Sequence, residues 1–314
     1  MREVQVVTSR EVPLGGPRAM TVRRTLPQRE RSLVGAWCFV DHYGPEDVAL
    51  SGGMDVPPHP HTGLQTVSWL FSGEVEHRDS GGVHALVRPG ELNLMTAGSG
   101  VAHSEVSTPS TTVLHGVQLW VALPDAARHR PRGFDHHVPA PVAVDGGVVR
   151  VLLGTLAGAT SPVPTHSPLL AAEIVLEPRA TLALEVDPAY EHGLLVDVGP
   201  VGLEGTTLAR SELGYVAPGA ERLAVTNPTG APARVLLLGG EPFTEPVLMW
   251  WNLVARTHEE IVALRADWEA GTERYGSVEG YAGTTQRLPA PALPGTRLKP
   301  RLAPPGPGDR SAWG

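Results

Sequence analysis

Short apolar and β-branched runs separated by turn residues recur along the first half of the chain. Residues 63–76 read GLQTVSWLFSGEVE, in which such a run ends at Ser-Gly, as expected for a strand followed by a turn. Similar runs occupy residues 85–87, 92–95 and 113–121, and RPGE at 88–91 is one of the turn signals between them. Closely spaced strands and turns are typical of an antiparallel barrel or sandwich. The first half is therefore predicted to be all-β.

Strand patterns return in the second half after a proline-rich stretch. Residues 124–168 contain several X-Pro turns around one strand-like run, residues 148–153, which indicates a domain junction. HTGL at 61–64 is echoed by EHGL at 191–194, so two related barrels are predicted. The later apolar runs that predict the second β domain lie at residues 172–176, 182–186, 194–198 and 234–238.

One helix is predicted near the C-terminal end. The sequence from 257 places Ile261, Leu264 and Trp268 at helical spacing, between a Thr257 N-cap and a Gly271 C-cap. Proline and glycine dominate the sequence that follows and leave little apolar surface to bury. A tail that is mobile or draped over the surface is therefore expected.

Composition and charge exclude several classes of protein. The 314 residues predict two domains, and the 36 glycines and 31 prolines suit short strands joined by turns. The formal charge of −8 provides no basic field for phosphate backbones or anionic lipid, so neither direct nucleic-acid binding nor membrane binding is predicted. Without a signal-peptide pattern or a long apolar stretch, a cytoplasmic location is predicted. The single cysteine, Cys38, lies in the apolar run AWCFV and is predicted to be a core residue rather than a redox nucleophile.

Two histidine motifs carry the candidate chemistry. In GMDVPPHPH, His59 and His61 are two residues apart in a segment that its prolines keep extended, so both imidazoles point the same way. In AGSGVAHSE, a glycine turn leads to His103 and Glu105, which are again two residues apart. Isolated histidines are usually solvated or bonded to a carbonyl, but three imidazoles and a carboxylate together suit Fe, Mn, Ni, Cu or Zn.

The order of the motifs is similar to that of the cupin superfamily: G-x5-H-x-H, then strands, then G-x-x-H. Cupins usually have a glutamate ligand shortly after the second histidine, where Gln65 and Thr66 stand here. Glu105 must replace it. The longer segments that resemble the pirin family, a branch of the cupins, are VGAWCFVDHYGP at 34–45, residues 57–80, residues 88–105 and GVQLWVALP at 116–124.

This resemblance implies a bicupin with one mononuclear metal ion, usually iron, held at His59, His61, His103 and Glu105. The second barrel is expected to hold no metal, because Ala189 and Glu191 stand where the echo would place the first two histidines. The fold predicted is thus all-β, with two cupin-type jelly-roll barrels, a short C-terminal helix and a Pro-rich tail. The domains predicted are a metal-binding cupin, a linker, a second cupin with the helix, and the tail, at residues 1–135, 136–167, 168–272 and 273–314.

The resemblance also implies an activity, since some pirins show quercetin 2,3-dioxygenase activity. The chain is interpreted as a metal-dependent dioxygenase of a flavonol or similar enol, with a small aromatic substrate and dioxygen as its partners. Glu105 would double as the base that removes the substrate's hydroxyl proton.

Two other interpretations stay open. One is a metal- or redox-dependent regulator that acts through protein partners, with the arginine-rich segment 23–31 as a candidate contact or else a solvated turn. The other is a storage-like or structural bicupin with a closed site.

Four further residues are candidates for the pocket or its surroundings. His77 follows a strand and is predicted to order a turn rather than to bind metal. His115, Gln118 and Trp120 share a strand near the end of the first barrel, where they either line the pocket or pack in the core.

Overall fold

The computed structural model of the protein describes residues 2–14 and 20–301. Over these residues the chain forms 26 strands and two helices, so the all-β prediction is confirmed. The elements up to the end of the first barrel are β1 (Gln5–Val7), β2 (Arg10–Pro13), β3 (Thr21–Leu26), β4 (Trp37–Asp47), α1 (Val48–Ser51), β5 (Asp55–His61), β6 (Leu64–Ser72), β7 (Val75–Asp79), β8 (His84–Val87), β9 (Leu92–Thr96), β10 (Val101–Ser107), β11 (Val113–Ala122) and β12 (Gly133–His137).

The remaining elements are β13 (Val142–Val144), β14 (Gly147–Leu153), β15 (Thr155–Leu156), β16 (Ala159–Thr160), β17 (Leu169–Leu176), β18 (Thr181–Glu185), β19 (Glu191–Val198), β20 (Val201–Leu203), β21 (Thr206–Leu208), β22 (Leu213–Val216), β23 (Arg222–Thr226), β24 (Ala233–Gly240), β25 (Leu248–Trp250), β26 (Leu253–Ala255) and α2 (His258–Ala270).

Strands β2 to β12 form the first barrel. A seven-stranded sheet of order β12-β9-β6-β11-β4-β3-β2 packs on a four-stranded sheet of order β5-β10-β7-β8. Buried side chains from both sheets, including Tyr43, Val56, Leu70 and Leu114, fill part of the space between them. Two antiparallel sheets joined in this way are the jelly-roll barrel that was predicted.

The second barrel repeats the strand order of the first. Its sheets run β1-β22-β19-β24-β17-β14-β13 and β18-β23-β20-β21, so each strand has a topological counterpart in the first barrel. Strand β1, from the N-terminal end, pairs with β22, while β13 and β14 extend the opposite edge. The stretch 136–167, which its prolines marked as a linker, therefore contributes two strands to a sheet, and one of them, β14, contains the strand-like run at 148–153.

The two seven-stranded sheets pack against each other across a shared hydrophobic cluster. The Trp37 indole N–H on β4 lies 3.2 Å from the Leu170 carbonyl oxygen and 3.1 Å from that of Gly239, so it donates across the interface. Cys38 lies in the same cluster, and burial raises the pKa of its thiol to about 12. It is the neutral core residue that the sequence predicts.

After the second barrel the chain returns to the first. In the β25–β26 hairpin, the Val254 N–H donates to the Thr62 carbonyl oxygen at 3.1 Å. Gly63 permits this approach, since its φ is +67° and a Cβ there would lie 2.4 Å from the Val254 carbonyl oxygen. Farther along, the Leu288 N–H donates to the Pro58 carbonyl oxygen at 2.9 Å. The C-terminal segment therefore covers the strands that carry the first histidine motif.

Helix α2 begins and ends where the sequence predicts. The Thr257 hydroxyl accepts the Glu260 N–H at 3.2 Å, and Gly271 ends the helix with φ +67°. The Glu260 carboxylate accepts the N–H of Arg256 at 2.9 Å, one residue before the position that a capping box predicts.

No helix in the described ranges is long and apolar enough to cross a bilayer. Residues 273–301 lie along α2 and the first barrel, and the Trp268 indole donates to the Leu288 carbonyl oxygen at 2.8 Å. The rest of the predicted tail, residues 302–314, lies outside the described residues.

Candidate metal centre

His59 and His61 lie on β5, an edge strand of the four-stranded sheet. An edge position suits this strand because Pro57, Pro58 and Pro60 have no N–H to donate to a neighbouring strand. The register between β5 and β10 shifts where Pro57 and Pro58 stand. The extended conformation that the prolines favour is therefore observed, and both imidazoles reach the same space.

His103 lies on β10, directly opposite His59 in the antiparallel pair. The turn before β10 requires glycine, since Gly98 has φ +53° and a Cβ there would lie 2.0 Å from the Arg130 carbonyl oxygen. The two histidine motifs are thus brought together by the pairing of β5 with β10.

The three imidazoles form one compact group. Their nearest ligand nitrogens all lie within 4.8 Å of one another, and the His59 and His103 ring centroids are 4.4 Å apart. Nδ1 of His59 lies 2.9 Å from the Pro57 carbonyl oxygen, and Nδ1 of His61 lies 2.9 Å from that of Asn252. Because a carbonyl oxygen can only accept, each Nδ1 carries the proton and each Nε2 keeps its lone pair.

His103 has a different partner and an unpaired nitrogen. Its Nδ1 lies 3.4 Å from Nδ1 of His77, whose Nε2 lies 3.2 Å from the Asp79 carboxylate. If His77 donates to Asp79, its Nδ1 accepts from His103, which leaves the lone pair on His103 Nε2. That atom is buried without a hydrogen-bond partner. Such an atom is costly unless something binds it, and three neutral imidazoles are donors that transition metals prefer, so these residues fit a metal ion.

Glu105 lies beside this group. Its carboxylate forms a second set of donors with His103 and His77, again within 4.8 Å of one another, and accepts the Ser68 hydroxyl at 3.3 Å. Burial raises the pKa of Glu105, which nearby His77 and the Ser68 hydroxyl only partly offset. Glu105 as a fourth ligand stays a prediction, and a raised pKa makes its carboxylate a stronger proton acceptor.

Burial also lowers the pKa of the three histidines, that of His59 to about 4. They are therefore neutral at pH 7. The unfolded chain binds protons near pH 6.5 that the folded metal-free protein excludes, so stability is full above that pH and falls as the pH drops towards about 4.

We expect His59 alone to cost about 1.4 kcal/mol per pH unit over this window. Urea unfolding of the chelator-treated protein at pH 7, 6 and 5 measures the effect. The His59→Ala variant should show a shallower loss, and the same pH profile in both proteins would contradict the assignment.

A cavity of about 530 Å³ opens beside the histidines and Glu105. Gln118 and Trp120 line this cavity, which is one of the two alternatives that the sequence left open for them. The Trp120 ring stacks on Phe39 with centroids 4.0 Å apart, and it meets His61 edge to face at 5.1 Å. The other lining residues are Pro13, Leu14, Arg24, Val56, His59, Trp251, Asn252, Leu288 and Pro289.

The β25–β26 hairpin contributes to both the cavity and the histidine group. Its two-residue turn is Trp251-Asn252, and Trp251 has φ +53°. A bulky residue in this left-handed region costs about 1–3 kcal/mol. The turn is held in place because the Asn252 carbonyl oxygen binds His61.

Comparison with known proteins agrees with this architecture. The sequence profile described as Pirin matches residues 19–121, and that of the Pirin C-terminal cupin domain matches residues 171–274. A Pseudomonas aeruginosa protein named "Putative quercetin 2,3-dioxygenase" is 44% identical over 292 residues, which are 93% of this chain and 91% of the relative. The chain belongs to the pirin family. A pirin-like protein of Caulobacter vibrioides is 39% identical over 80% of this chain and 88% of its own length.

A solved structure is similar over almost the whole pirin chain. It is the crystal structure of a quercetin 2,3-dioxygenase from Acinetobacter baumannii, with a TM-score of 0.89 and 36% sequence identity. The match covers 95% of this chain and 97% of the other. The bicupin fold is thereby confirmed.

The second barrel of this pirin has apolar residues where the first has its candidate ligands. The counterparts of β5 and β10 are β18 and β23. Their buried residues are Leu182, Leu184, Leu223 and Val225.

The sequence echo at Ala189 and Glu191 therefore did not identify the counterparts of His59 and His61, which lie on β18. Glu191 lies on β19, the counterpart of β6, and faces the first barrel, where it accepts the Gly35 N–H at 2.6 Å.

A second set of histidines lies between the barrels of the pirin. His42 and His115 both bond Asp197 Oδ1 through Nε2, at 2.8 and 2.6 Å. Arg234 bonds the other oxygen of Asp197 at 2.6 Å, and Ser211 lies 2.8 Å from His42 Nδ1. Although these donors are close enough to be considered for metal, the two imidazoles already bond the carboxylate and a guanidinium repels a cation. This cluster, the inter-barrel network, joins the two barrels.

One functional placement was missed from the sequence, and the structure decides one alternative that was left open. His77, predicted to order a turn, is buried against His103, because β7 pairs with β10 and places it opposite Glu105. Its Asp79 partner two residues later was the available signal, since a carboxylate often orients a histidine near metal. His115 is not among the residues that line the cavity: it lies on the face of β11 opposite Gln118 and Trp120 and bonds Asp197 of the second barrel, so the core alternative holds for it.

Proposed function

We propose that this pirin is a metal-dependent dioxygenase, of the quercetin 2,3-dioxygenase type, that cleaves a flavonol or a similar enol. The observation that carries the proposal is the convergence of three neutral, buried imidazoles beside a cavity of about 530 Å³ that Glu105 also lines. A cavity of this size accommodates a small aromatic molecule. The names of the Pseudomonas aeruginosa and Acinetobacter baumannii relatives support the same reaction class.

His59, His61 and His103 would hold one ion, with Glu105 as the fourth ligand. Iron is the ion we propose, and Mn, Ni, Cu and Zn suit the same donors. When bound, the ion supplies Lewis acidity that acidifies a substrate hydroxyl and a centre at which dioxygen and the substrate react. His77 and Asp79 orient His103, and the Asn252 carbonyl oxygen orients His61.

Glu105 is the group that would take the proton from the substrate hydroxyl. Glu105 lines the cavity, and burial raises the pKa of its carboxyl group. Ser68 lies 3.1 Å from Gln118 Oε1 as well as 3.3 Å from Glu105, so a short polar chain of side chains adjoins the base.

Replacement of Glu105 tests this role. We expect Glu105→Gln to lower the turnover of quercetin by about 100-fold or more, since an amide cannot accept the proton, while metal content falls less than in histidine variants. Oxygen uptake with a panel of flavonols, before and after chelation and metal return, measures both. Turnover that is unchanged in the variant would remove Glu105 from this role, and activity that ignores chelation would contradict the proposal.

The two other interpretations receive less support. Of the arginines in segment 23–31, Arg23 bonds Ser211 and Arg24 bonds Asp41, both within the protein. Arg31 likewise bonds Gln5, so three of the four arginines are used within the protein, and Arg29 is the exposed one. A filled, storage-like site is disfavoured by the cavity beside the histidines.

A further inference from the structure

Trp251 occupies a backbone position that normally selects glycine. The Trp251-Asn252 turn joins β25 to β26 with two residues, and Trp251, the first of them, has φ +53°. Two-residue hairpins with positive φ at the first position favour glycine there, because a side chain is strained. Strain of this kind at a bulky residue concentrates at ligand clamps and active sites.

The strained position places the Trp251 side chain at the cavity. Trp251 and Asn252 both line it, and the Asn252 carbonyl oxygen bonds His61. The same two-residue turn thus contacts the histidine group through the Asn252 carbonyl and lines the cavity with both of its residues.

Of the other two aromatic side chains of the cavity, Phe39 is covered on both faces and Trp120 on one. Trp120 and Phe39 stack on each other with an interplanar angle of 10°. The Arg24 guanidinium carbon lies 4.2 Å from the Phe39 centroid, so it covers the opposite face of that ring. By contrast, the ring contact of Trp251 is a T-shaped one with Trp250, with centroids 6.2 Å apart. Trp251 is only half-buried: it packs beside the apolar cluster around α2 and also lines the cavity, so part of this residue is open to a ligand.

We propose that Trp251 stacks on the aromatic ring of the substrate and determines the preference of this site for planar ligands. The inference rests on the proposed function, and it adds the residue that distinguishes an aromatic enol from any other chelator. Stacking is favourable for a flat ring and absent for an aliphatic chelator, so the two ligand types separate this role from metal binding.

The test compares two ligands on iron-loaded protein kept under nitrogen, so that binding is measured without turnover. Quercetin carries the planar rings, and acetohydroxamic acid chelates metal without a ring. Trp251→Gly removes the indole but tolerates the positive φ, Trp251→Phe keeps an aromatic face, and Trp250→Phe is the matched control on the same hairpin. Titration calorimetry gives each Kd, and metal analysis of every variant confirms equal loading.

We expect Trp251→Gly to raise the quercetin Kd about tenfold or more and to leave the acetohydroxamate Kd within about twofold. Trp251→Phe should recover most of the quercetin affinity, and Trp250→Phe should match the wild type. An equal loss for both ligands would overturn the inference, since the hairpin would then act through His61 alone. Unchanged quercetin binding in Trp251→Gly overturns the Trp251 role only, whereas a wild-type protein that binds no flavonol overturns the proposed function with it.

Discussion

His103→Ala is expected to lower metal affinity by about 1000-fold or more and to leave the protein folded. The change removes one of three converging imidazoles, and loss of a residue that only orients a ligand already costs about 10–100-fold. The buried cluster of each barrel and the cluster that they share supply most of the folding free energy, so we expect the fold not to depend on an ion. Metal analysis of protein purified from metal-supplied medium, with a circular dichroism melt, measures both effects.

The matched control for this variant is His136→Ala. His136 is a half-exposed histidine on β12 that bonds Glu91 at 2.9 Å. The His136→Ala variant should keep its full metal content. His77→Ala should lower metal affinity by about 10–100-fold, which is less than His103→Ala and more than His136→Ala. Cooperative unfolding of His103→Ala at room temperature would instead make the ion structural.

Asp197→Ala is expected to destabilise the protein by about 3–5 kcal/mol, the usual cost of removing one partner of a buried ionic network. Asp197 is fully buried, and its loss leaves His42, His115 and Arg234 without their shared acceptor. Urea unfolding gives the free energy of unfolding. Asp145→Ala, on an exposed turn, is the control and should change it by less than about 0.5 kcal/mol.

The pH dependence of the inter-barrel network follows from the same contacts. Burial alone would raise the pKa of Asp197, but the hydrogen bonds from His115 and His42 and the charge of Arg234 outweigh it and hold that pKa far below its ordinary value. A depressed carboxyl pKa adds stability above the unfolded value, near 3.9, and loses it only in stronger acid. The difference between wild type and Asp197→Ala should therefore persist at pH 5, and its disappearance there would contradict the assignment.

Local signals were sufficient for the parts of the fold and site that depend on neighbours in the sequence. The prolines around His59 predict an extended strand, and Thr257 and Gly271 predict both ends of a helix, because caps and φ restrictions act within a few residues. The long motifs that resemble pirins made the barrel fold predictable as well. The approach of His61 to Asn252 joins residues 191 positions apart, and no pattern within either segment encodes it.

The strand register and the membership of β1 in the second barrel could not be predicted from the sequence either. The register shifts beside His115 leave extra residues in β4 and β6, and sequence alternation cannot locate such shifts. Strand β1 was assigned to the first domain with the rest of the N-terminal residues, yet it pairs with β22 of the second barrel. Three residues of edge strand are too few to show which sheet they join.

The return of the C-terminal segment to the first barrel has a consequence for biosynthesis. The ribosome makes all of the first barrel before it reaches Asn252, whose carbonyl oxygen holds His61 in the tautomer that exposes Nε2. Leu288 and Pro289, which line the cavity, emerge later still. A nascent chain therefore presents His61 without the acceptor that orients it, whereas His59 and His103 already have their partners in the first barrel. Messages truncated before codon 252 would release chains whose barrel is made but whose centre is unfinished.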